Sequence, residues 1–356
     1  MPKTTLCIKV QKKQGQKTLT LASKLGLFDK SLEIERDESS LYIPLVKQPD
    51  ANKFAMLKAE VPDSQLRTKA FEEKNVAAES LSQMLKDKLP TDLLNILPQA
   101  LDVIGDIAVI EVPTDLEPYE NLIGEAILKT HRNLKTVLAK KGAISGTYRI
   151  RNFTSIAGEH KTQTIHREYG CQLHVDLAKA YFSPRLSHEH ERVASLVQPG
   201  EDVVDLFSGV GPFSILIAKK NPTVEVYAVD INPKAIDLLK VNTRVNRVEN
   251  RVFPILADAR EIASVKLKGI ADRVIMNLPE TAIEFVDAAC KTIKPKGGII
   301  HFYAFMRSPD CIENQKQRFC QAVEETGRKV ELFLYARSIR ETAPFESQVV
   351  LDAKIA

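Results

Sequence analysis

The fold class of this chain is indicated most directly by the segment Val203-Val204-Asp205-Leu206-Phe207-Ser208-Gly209-Val210-Gly211-Pro212-Phe213. This segment begins as an apolar strand, passes through a turn with two glycines and continues into a helix, whose first turn suits Pro212. Open α/β sheets bind ligands at the carboxyl ends of their strands, where this turn would lie. Gly209 and Gly211 would let the backbone approach a ligand closely and adopt φ values that a Cβ forbids.

The glycine spacing indicates the kind of ligand. It lacks the third glycine of G-x-G-x-x-G, so a nicotinamide cofactor with its pyrophosphate on the helix N-terminus fits poorly, and a ligand without phosphates fits better. The next strand, 224–229, ends in Asp230, where such folds place an acid that accepts hydrogen bonds from ribose hydroxyls. Because Asn232 and Pro233 start a helix just beyond, Asp230 could instead be an acid at a helix N-terminus.

Two further strands end in polar residues. Asp258 follows the strand 252–256 and could accept from an adenine amino group, although alone it would be a solvated loop acid. The strand 273–276 ends in Asn277-Leu278-Pro279, where a side-chain amide beside a rigid proline can hold a planar base by its edge. The alternative is an ordinary turn. Since the other strand ends carry ligand-binding features, we favour a methyl-acceptor site.

The pattern around these strands divides the chain into modules. Residues 171–356 alternate helix and strand, which predicts an α/β fold with a doubly wound, mainly parallel sheet, a Rossmann-like domain. Two smaller α+β domains are predicted before it, at 1–65 and 81–170. A charged, alanine-rich connector without a strand pattern is predicted between them at 66–80.

Composition excludes several classes of protein. Among 356 residues, Lys and Arg exceed Asp and Glu by 50 to 46, a net charge of +4 that permits a polyanionic partner without indicating one. Five scattered cysteines without a C-x-x-C spacing indicate neither a disulfide framework nor a zinc site. No apolar run approaches about 18 residues, and the first residues lack a signal-peptide pattern. We therefore expect a cytoplasmic protein without a metal site or membrane segment.

Several segments outside the glycine turn carry a family resemblance. The most specific is Tyr181-Phe182-Ser183-Pro184-Arg185, within the longer run 175–186 that precedes the turn. Others are Tyr148-Arg149-Ile150-Arg151, Ala157-Gly158-Glu159, Thr164-Ile165-His166 and Asn277-Leu278-Pro279. With the small N-terminal domain, these segments make nearly the whole chain resemble the archaeal and eukaryotic tRNA (guanine-37 N1)-methyltransferases.

The resemblance implies transfer of a methyl group from S-adenosyl-L-methionine to N1 of guanosine 37 in tRNA. The family's catalytic arginine falls on Arg149, its general base on Glu189 and its guanine-holding asparagine on Asn277. The predicted cofactor contacts are Tyr181, Phe207, Gly209, Gly211, Asp230, Asp258, Asn277 and Pro279. The chain departs from the family at Ser187 and His188, which are glycines in some relatives, and at Thr342-Ala343-Pro344, often Tyr-Ala-Pro.

The chemistry requires these groups because N1 of guanine carries a proton at neutral pH. Glu189 would accept that proton, and desolvation should raise its proton affinity. Arg149 would stabilise the negative charge that moves onto O6, and Asn277 would accept from the exocyclic amine. Without the resemblance, Glu189 and Arg149 would be ordinary surface residues. The histidines at 166, 174, 188 and 190 are expected to be surface or loop residues.

Guanine 37 must leave its stack to reach a pocket, at a cost of a few kcal/mol that contacts to the backbone offset. Candidate phosphate contacts are Lys140, Arg151 and Arg185, with Lys141, Lys161 and Arg167 as further possibilities. By resemblance, the N-terminal domain would touch the outer corner of the tRNA, while the anticodon loop enters the catalytic site. A monomer is expected.

Three alternatives stay open. The nearest is a wyosine-pathway tRNA transferase, which transfers an aminocarboxypropyl group or methylates a wyosine precursor. A non-catalytic RNA-binding protein would not need Asp230, Asp258, Asn277 and Glu189 together. A small-molecule methyltransferase would not need about 170 residues of additional domains before the catalytic one.

Overall fold

The computed structural model shows two structural units, Met1–Lys86 and Asp87–Ala356. The residues that it describes are 2–37, 39–73, 80–146 and 148–356.

The first unit is a four-stranded antiparallel sheet against which two helices pack. Its elements are β1 Lys3–Gln11, α1 Gly15–Lys24, β2 Glu35–Arg36, β3 Ser40–Pro44, α2 Ala51–Glu60, β4 Gln65–Phe71 and α3 Leu81–Leu85. The strand order is β2-β3-β1-β4. Its core joins Ile8 and Ile43 of the sheet to Ala22 of α1 and Leu57 of α2, all of them buried.

The connector predicted at 66–80 begins too early. Residues 66–71 belong to β4, which pairs antiparallel with β1 from Lys9↔Gln65 to Lys3↔Phe71. β4 lies at the edge of the sheet, and edge strands often carry charged side chains that discourage pairing with other chains. Arg67 and Lys69 are such residues, so their charge concealed the strand pattern. Residues 74–79 of the predicted connector lie outside the described residues.

The second unit begins with an α+β module, as predicted. Its elements are α4 Thr91–Leu94, β5 Asp102–Ile104, β6 Ile107–Ile110, α5 Glu120–Thr130, β7 Thr136–Ser145, β8 Ile150–Gly158, β9 Gln163–Glu168 and β10 Cys171–Asp176. The strands β5-β6-β7-β8 form one sheet, and β9 and β10 form a hairpin. The boundary predicted after residue 170 falls in the turn of this hairpin, where Cys171 pairs with Glu168.

The rest of the second unit confirms the predicted doubly wound sheet. Its elements are α6 Ser187–Leu196, β11 Asp202–Asp205, α7 Pro212–Lys220, β12 Glu225–Asp230, α8 Pro233–Val245, β13 Val252–Leu256, α9 Ala259–Val265, β14 Arg273–Met276, α10 Val286–Thr292, β15 Gly298–Arg307, α11 Ile312–Glu324, β16 Val330–Ala343 and β17 Glu346–Ile355. The strand order is β13-β12-β11-β14-β15-β17-β16. The first five strands are parallel, and β17 is antiparallel to both of its neighbours.

Both faces of this sheet are covered, which is why its central strands are continuously apolar. Val203 packs in one core with Ile215 of α7 and Ile236 of α8. The next residue, Val204, points to the opposite face and packs in a second core with Phe319 of α11. The strand order reverses direction at β11, between β12 and β14, so a crevice opens at the carboxyl ends of these strands.

Candidate active site

The glycine turn joins β11 to α7 at this crevice. Gly209 and Gly211 have φ values of +54° and +90°, a region that residues with a Cβ rarely adopt. A Cβ on Gly211 would also lie 2.3 Å from Cδ1 of Leu239, a buried residue of α8. Backbone conformation and packing therefore both require glycine at position 211.

Asp230 supports the turn from the end of β12. Its Oδ2 accepts a hydrogen bond from the Gly209 amide at 2.7 Å, and its Oδ1 accepts from the Asn232 amide at 2.8 Å. Burial raises the pKa of the Asp230 carboxyl, although these backbone hydrogen bonds oppose the rise. The cap of α8 is Asn232, whose side chain accepts from the Lys234 amide at 3.0 Å. Asp230 thus lies two residues before the cap of α8 and supports both the glycine turn and the start of that helix.

A cavity of about 590 Å³ occupies the crevice. The predicted site residues in its wall are Tyr181, Phe207, Gly209, Asp230, Asp258, Asn277, Pro279 and Arg149. Gly211 lies beside the wall, which its neighbours Val210 and Pro212 line. Asp258 also caps α9, because its Oδ1 accepts from the Arg260 amide at 2.7 Å. The structure therefore brings the strand-end residues of four parallel strands to one cavity.

Asn277 lies at the end of β14 with an unpaired acceptor. Its Oδ1 is buried and has no hydrogen-bond partner within the described part of the chain. An unsatisfied buried acceptor costs about 1–3 kcal/mol, so this position suits a ligand that donates a hydrogen bond. The loop is tied to β15, because the Phe305 amide donates to the Pro279 carbonyl at 3.0 Å.

Arg149 enters the cavity wall from the loop between β7 and β8. Its guanidinium donates to both carboxylate oxygens of Glu280, at 2.6 and 2.8 Å. Its Cζ lies 6.0 Å from the centroid of the Tyr181 ring. The arginine expected near the methyl acceptor is thus at the cavity, paired with an acid that sequence analysis did not identify.

Glu189 is buried in α6. It is absent from the cavity wall that the described residues form, although Leu186 and His190 are part of that wall. Arg192 donates to both of its oxygens, the closest contact being 2.8 Å. The Tyr303 hydroxyl donates to Oε2 at 2.9 Å. Burial raises the pKa of Tyr303 well above its ordinary value, so the hydroxyl keeps its proton. Glu189 is therefore shielded from solvent as we expected, and Arg192 compensates its charge within the folded chain.

Arg192 also bridges Glu189 to Asp352 of β17, on the same face of the sheet. Its guanidinium donates to Asp352 at 2.6 Å, and Asp352 lies 2.7 Å from Nδ1 of the buried His301. Burial alone would raise the pKa of Asp352, but His301 and Arg192 lower it to about 2. Arg192 therefore keeps a charged partner when its contact with Glu189 is broken.

Comparison with known proteins assigns the family. The sequence profile of the TRM5/TYW2 methyltransferase domain matches residues 164–332. Profiles of the TYW2 and tRNA methyltransferase 5 N-terminal domains match residues 81–162 and 7–54. The tRNA (guanine(37)-N(1))-methyltransferase Trm5b of Pyrococcus abyssi is 42% identical over 351 residues, covering 99% of both chains. This chain belongs to the tRNA (guanine-37 N1)-methyltransferase family, the Trm5 family.

Two further relatives of this Trm5-family chain carry names that refer to tRNA. The structure titled "The complex structure of aTrm5 and tRNALeu" matches with a TM-score of 0.68 and 35% identity, covering 99% of this chain and 100% of that chain. The tRNA 4-demethylwyosine(37)-methyltransferase Taw21 of Saccharolobus solfataricus is 34% identical over 256 residues, covering 71% of this chain and 93% of its own.

The basic residues predicted to contact tRNA lie outside the cavity wall, as far as the described residues show. Lys140 and Arg185 both pair with Asp102, at 3.8 and 2.5 Å, and Lys140 also lies 3.8 Å from Glu111. Arg151 is half-buried.

His190 is not the surface or loop residue that we expected. Its ring is buried and lines the cavity, with Nδ1 2.8 Å from Oε1 of the buried Glu168. It also packs edge-on against Phe213 at a centroid distance of 4.5 Å. Helical periodicity could have found it, because His190 and Val193 lie three residues apart on the buried face of α6.

Residues at both departures from the Trm5 pattern make local hydrogen bonds. Nδ1 of His188 lies 3.3 Å from the Tyr169 hydroxyl. Thr342 donates to Oε1 of Glu346 at 2.8 Å, at the turn between β16 and β17.

In the described ranges, no cluster of three or more His, Cys, Asp or Glu side chains could hold a metal ion. None of the described helices has the length and apolar character needed to cross a bilayer.

Proposed function

We propose that the protein transfers a methyl group from S-adenosyl-L-methionine to N1 of guanosine 37 in tRNA. The observation that carries the proposal is the cavity at the switch point of the sheet, where the glycine turn, Asp230 and the unpaired Asn277 oxygen converge. The similarity to Trm5b over 99% of the chain supports guanosine 37 as the acceptor.

The cavity wall fits the proposed donor. Asp230 accepts from the ribose hydroxyls through the lone pairs that its two backbone hydrogen bonds leave free. Asp258 accepts from the adenine amino group, while Gly209 and Gly211 allow close approach of the chain. Tyr181, Phe207 and Pro279 supply apolar surface. When bound, S-adenosyl-L-methionine supplies an electrophilic methyl group on its sulfonium.

Asn277 and Arg149 hold the guanine in the proposed reaction. The unpaired Oδ1 of Asn277 accepts a hydrogen bond from the exocyclic amine, which removes the cost of leaving that buried oxygen without a partner. Arg149 turns from Glu280 towards O6 and stabilises the negative charge that gathers there as N1 loses its proton.

Glu189 accepts the N1 proton in this proposal. Its carboxylate leaves Arg192, the proton moves from N1 to a carboxylate oxygen, and the N1 electron pair becomes free to bond the methyl carbon. Arg192 keeps Asp352 as a charged partner at 2.6 Å, so the exchange does not strand a buried cation. Leu186, just before α6, and His190, the residue after Glu189, already line the cavity.

The rest of the tRNA would be bound by other parts of the chain. We expect Lys140, Arg151 and Arg185 to contact phosphates near the anticodon loop, and the first unit to contact the outer corner. We also expect the protein to act as a cytoplasmic monomer. The structure of a Trm5 relative with tRNALeu supports tRNA as the partner.

A second candidate is methylation of a wyosine precursor at position 37. The similarity to Taw21, a tRNA 4-demethylwyosine(37)-methyltransferase, favours it as an additional activity. A purely RNA-binding role is opposed by the complete set of donor and acceptor groups around one cavity.

Transfer of labelled methyl to unmodified tRNA, followed by digestion and nucleoside mass analysis, tests the proposal. We expect N1-methylguanosine, and no product from the same tRNA with adenosine at position 37. A tRNA carrying the wyosine precursor tests the second candidate in parallel. Absence of N1-methylguanosine from a tRNA with guanosine 37 would contradict the proposed function.

A further inference from the structure

A row of three side chains extends from the Asn277 loop to the outer edge of the large sheet. Phe305 of β15 is opposite Gln348 of β17, and Gln348 is opposite Arg340 of β16. Opposed residues on neighbouring strands project from the same face, and all three line the cavity. The row is connected to the Asn277 loop, because the Phe305 amide donates a hydrogen bond to the Pro279 carbonyl.

Arg340 is held in this row by a neutral group. Its Nε donates to Oε1 of Gln348 at 2.9 Å, and Gln348 is 1% exposed. A register shift between Ser338 and Arg340 precedes this pairing, and such irregularities commonly redirect side chains beside functional sites. The guanidinium is therefore fixed in place while its charge remains available.

The other two arginines in the described cavity wall have carboxylate partners. Arg149 pairs with Glu280 at 2.6 Å, and Arg260 lies 3.6 Å from Glu284. Arg340 has no carboxylate within ion-pair distance in the part of the chain that the structure describes. A fixed guanidinium without a counter-charge is suited to bind an oxyanion with two parallel hydrogen bonds.

We propose that Arg340 binds a backbone phosphate beside the everted guanosine, with Gln348 as the residue that positions its guanidinium. This inference rests on the proposed function, which brings a nucleotide of tRNA into the cavity. The reaction contains one other oxyanion, the carboxylate of the methyl donor. The width of the sheet argues against that carboxylate as the ligand of Arg340.

Five interstrand steps of about 4.8 Å separate β12, which anchors the ribose, from β16, which carries Arg340, a span of about 24 Å. The donor reaches roughly 8 Å from its ribose hydroxyls to its carboxylate, given bonds of about 1.5 Å. Even with the length of an arginine side chain added, a donor held by Asp230 does not reach Arg340. A phosphate next to a base held at Asn277 can.

The test compares Arg340→Gln with Arg337→Gln, an equal loss of charge at an exposed residue of the same strand outside the cavity wall. We expect Arg340→Gln to raise the KM for tRNA roughly tenfold or more, and to lower the slope of log KM against log salt by about 1. Arg340→Lys should recover part of the loss. Arg337→Gln should behave as the wild type, and calorimetric affinity for S-adenosylhomocysteine should be unchanged in all three variants.

A second variant keeps Arg340 but gives its guanidinium a carboxylate partner, so that its charge is no longer free to bind a phosphate. Gln348→Glu places a carboxylate where the neutral amide holds the guanidinium, so it should raise the KM for tRNA as Arg340→Gln does. This variant keeps the test decisive if Arg340→Gln proves unstable in thermal unfolding.

Several results would overturn the assignment. Equal KM values and equal salt slopes for Arg340→Gln and Arg337→Gln would do so. So would weaker S-adenosylhomocysteine binding with an unchanged KM for tRNA, which would assign Arg340 to the donor carboxylate. The proposed function is judged separately, because its failure appears as absence of N1-methylguanosine with the wild-type protein.

Discussion

Replacing Glu189 with glutamine separates a chemical role of its carboxylate from a role in holding α6 against the sheet. The change removes the charge but keeps the volume, and the amide can still accept from the Tyr303 hydroxyl that lies 2.9 Å from Oε2. Alanine would be a poorer probe, because it would also leave an unfilled space around Arg192 and Tyr303.

The structure sets the expected loss of stability. Removing one partner of a buried ion pair typically costs about 3–5 kcal/mol because the other charge stays unpaired. Here Arg192 retains Asp352 at 2.6 Å, so we expect only the loss of charged hydrogen bonds, about 1.5–3 kcal/mol in the free energy of unfolding. For a unit of this size that corresponds to a fall in Tm of about 3–10 °C.

The expected loss of turnover is much larger than this. A positioned general base contributes about 10²–10⁴-fold, so single-turnover methyl transfer, measured well below Tm with saturating donor, should fall by at least 100-fold. The control is Tyr303→Phe, which removes one hydrogen bond to Glu189 but leaves the carboxylate and its pair with Arg192. It should lose about 1 kcal/mol of stability and keep turnover within about threefold.

The reasoning is refuted if Glu189→Gln retains more than a tenth of wild-type turnover, or if both variants lose turnover in proportion to their loss of stability. In either case Glu189 would be a structural acid. Calorimetry with S-adenosylhomocysteine completes the comparison, because a base that touches only the acceptor should not alter donor affinity.

Three further predictions address the cavity wall. Asn277→Ala should reduce turnover by about tenfold without lowering Tm by scanning calorimetry, because it removes one hydrogen bond to the base while the buried oxygen that it deletes has no partner in the described chain; a clear fall in Tm would contradict this. Burial raises the pKa of Asp205 to about 7, so the folded state holds a proton that the unfolded state releases near pH 4, and stability falls as pH rises through 7. Urea unfolding at pH 5 and 8 should therefore show Asp205→Asn gaining stability relative to wild type at pH 8, by on the order of a few kcal/mol; equal differences at both pH values would contradict the assignment. Gly211→Ala should lower the free energy of unfolding by about 2 kcal/mol or more and weaken S-adenosylhomocysteine binding, since its Cβ would lie 2.3 Å from Leu239; wild-type affinity would refute the steric argument.

Local patterns in the sequence were sufficient to predict the part of the cavity wall that we assign to the methyl donor. Apolar strands that end in a glycine turn, in Asp230 and in Asn277 predict a doubly wound sheet, and the carboxyl ends of neighbouring parallel strands must meet at one edge. The structure places Gly209, Asp230, Asp258 and Asn277 in one wall for that reason. No knowledge of distant contacts was needed.

The part of the site that we assign to the guanosine depends on contacts between residues far apart in the chain, which no local sequence pattern contains. Glu280 meets Arg149 from 131 positions away in the chain, and nothing about either residue in sequence distinguishes it from a solvated surface charge. Arg340 is similar, because its significance lies in a missing carboxylate and in a neighbouring strand. Burial of Glu189 was foreseeable from its catalytic assignment, and its pairing with Arg192 is an i,i+3 contact within α6 that helical spacing allows. The contact of Arg192 with Asp352, 160 positions away, required the packing of α6 against β17.

These pairings offer a physical account of how guanine would be chosen over adenine. In the structure Arg149 is held by Glu280 and Glu189 is held by Arg192, so each must give up an intramolecular charged hydrogen bond before it can touch a base. Guanine replaces both, because it presents O6 to the guanidinium and the N1 proton to the carboxylate. Adenine presents an amino group and a bare ring nitrogen at the same places, so neither exchange is compensated. Since charged hydrogen bonds contribute about 1.5–3 kcal/mol each, two uncompensated exchanges disfavour adenine by a factor on the order of 10²–10⁴. The cost of breaking the two intramolecular pairs is the same for either base, so the discrimination comes from the hydrogen bonds that guanine restores and adenine cannot form.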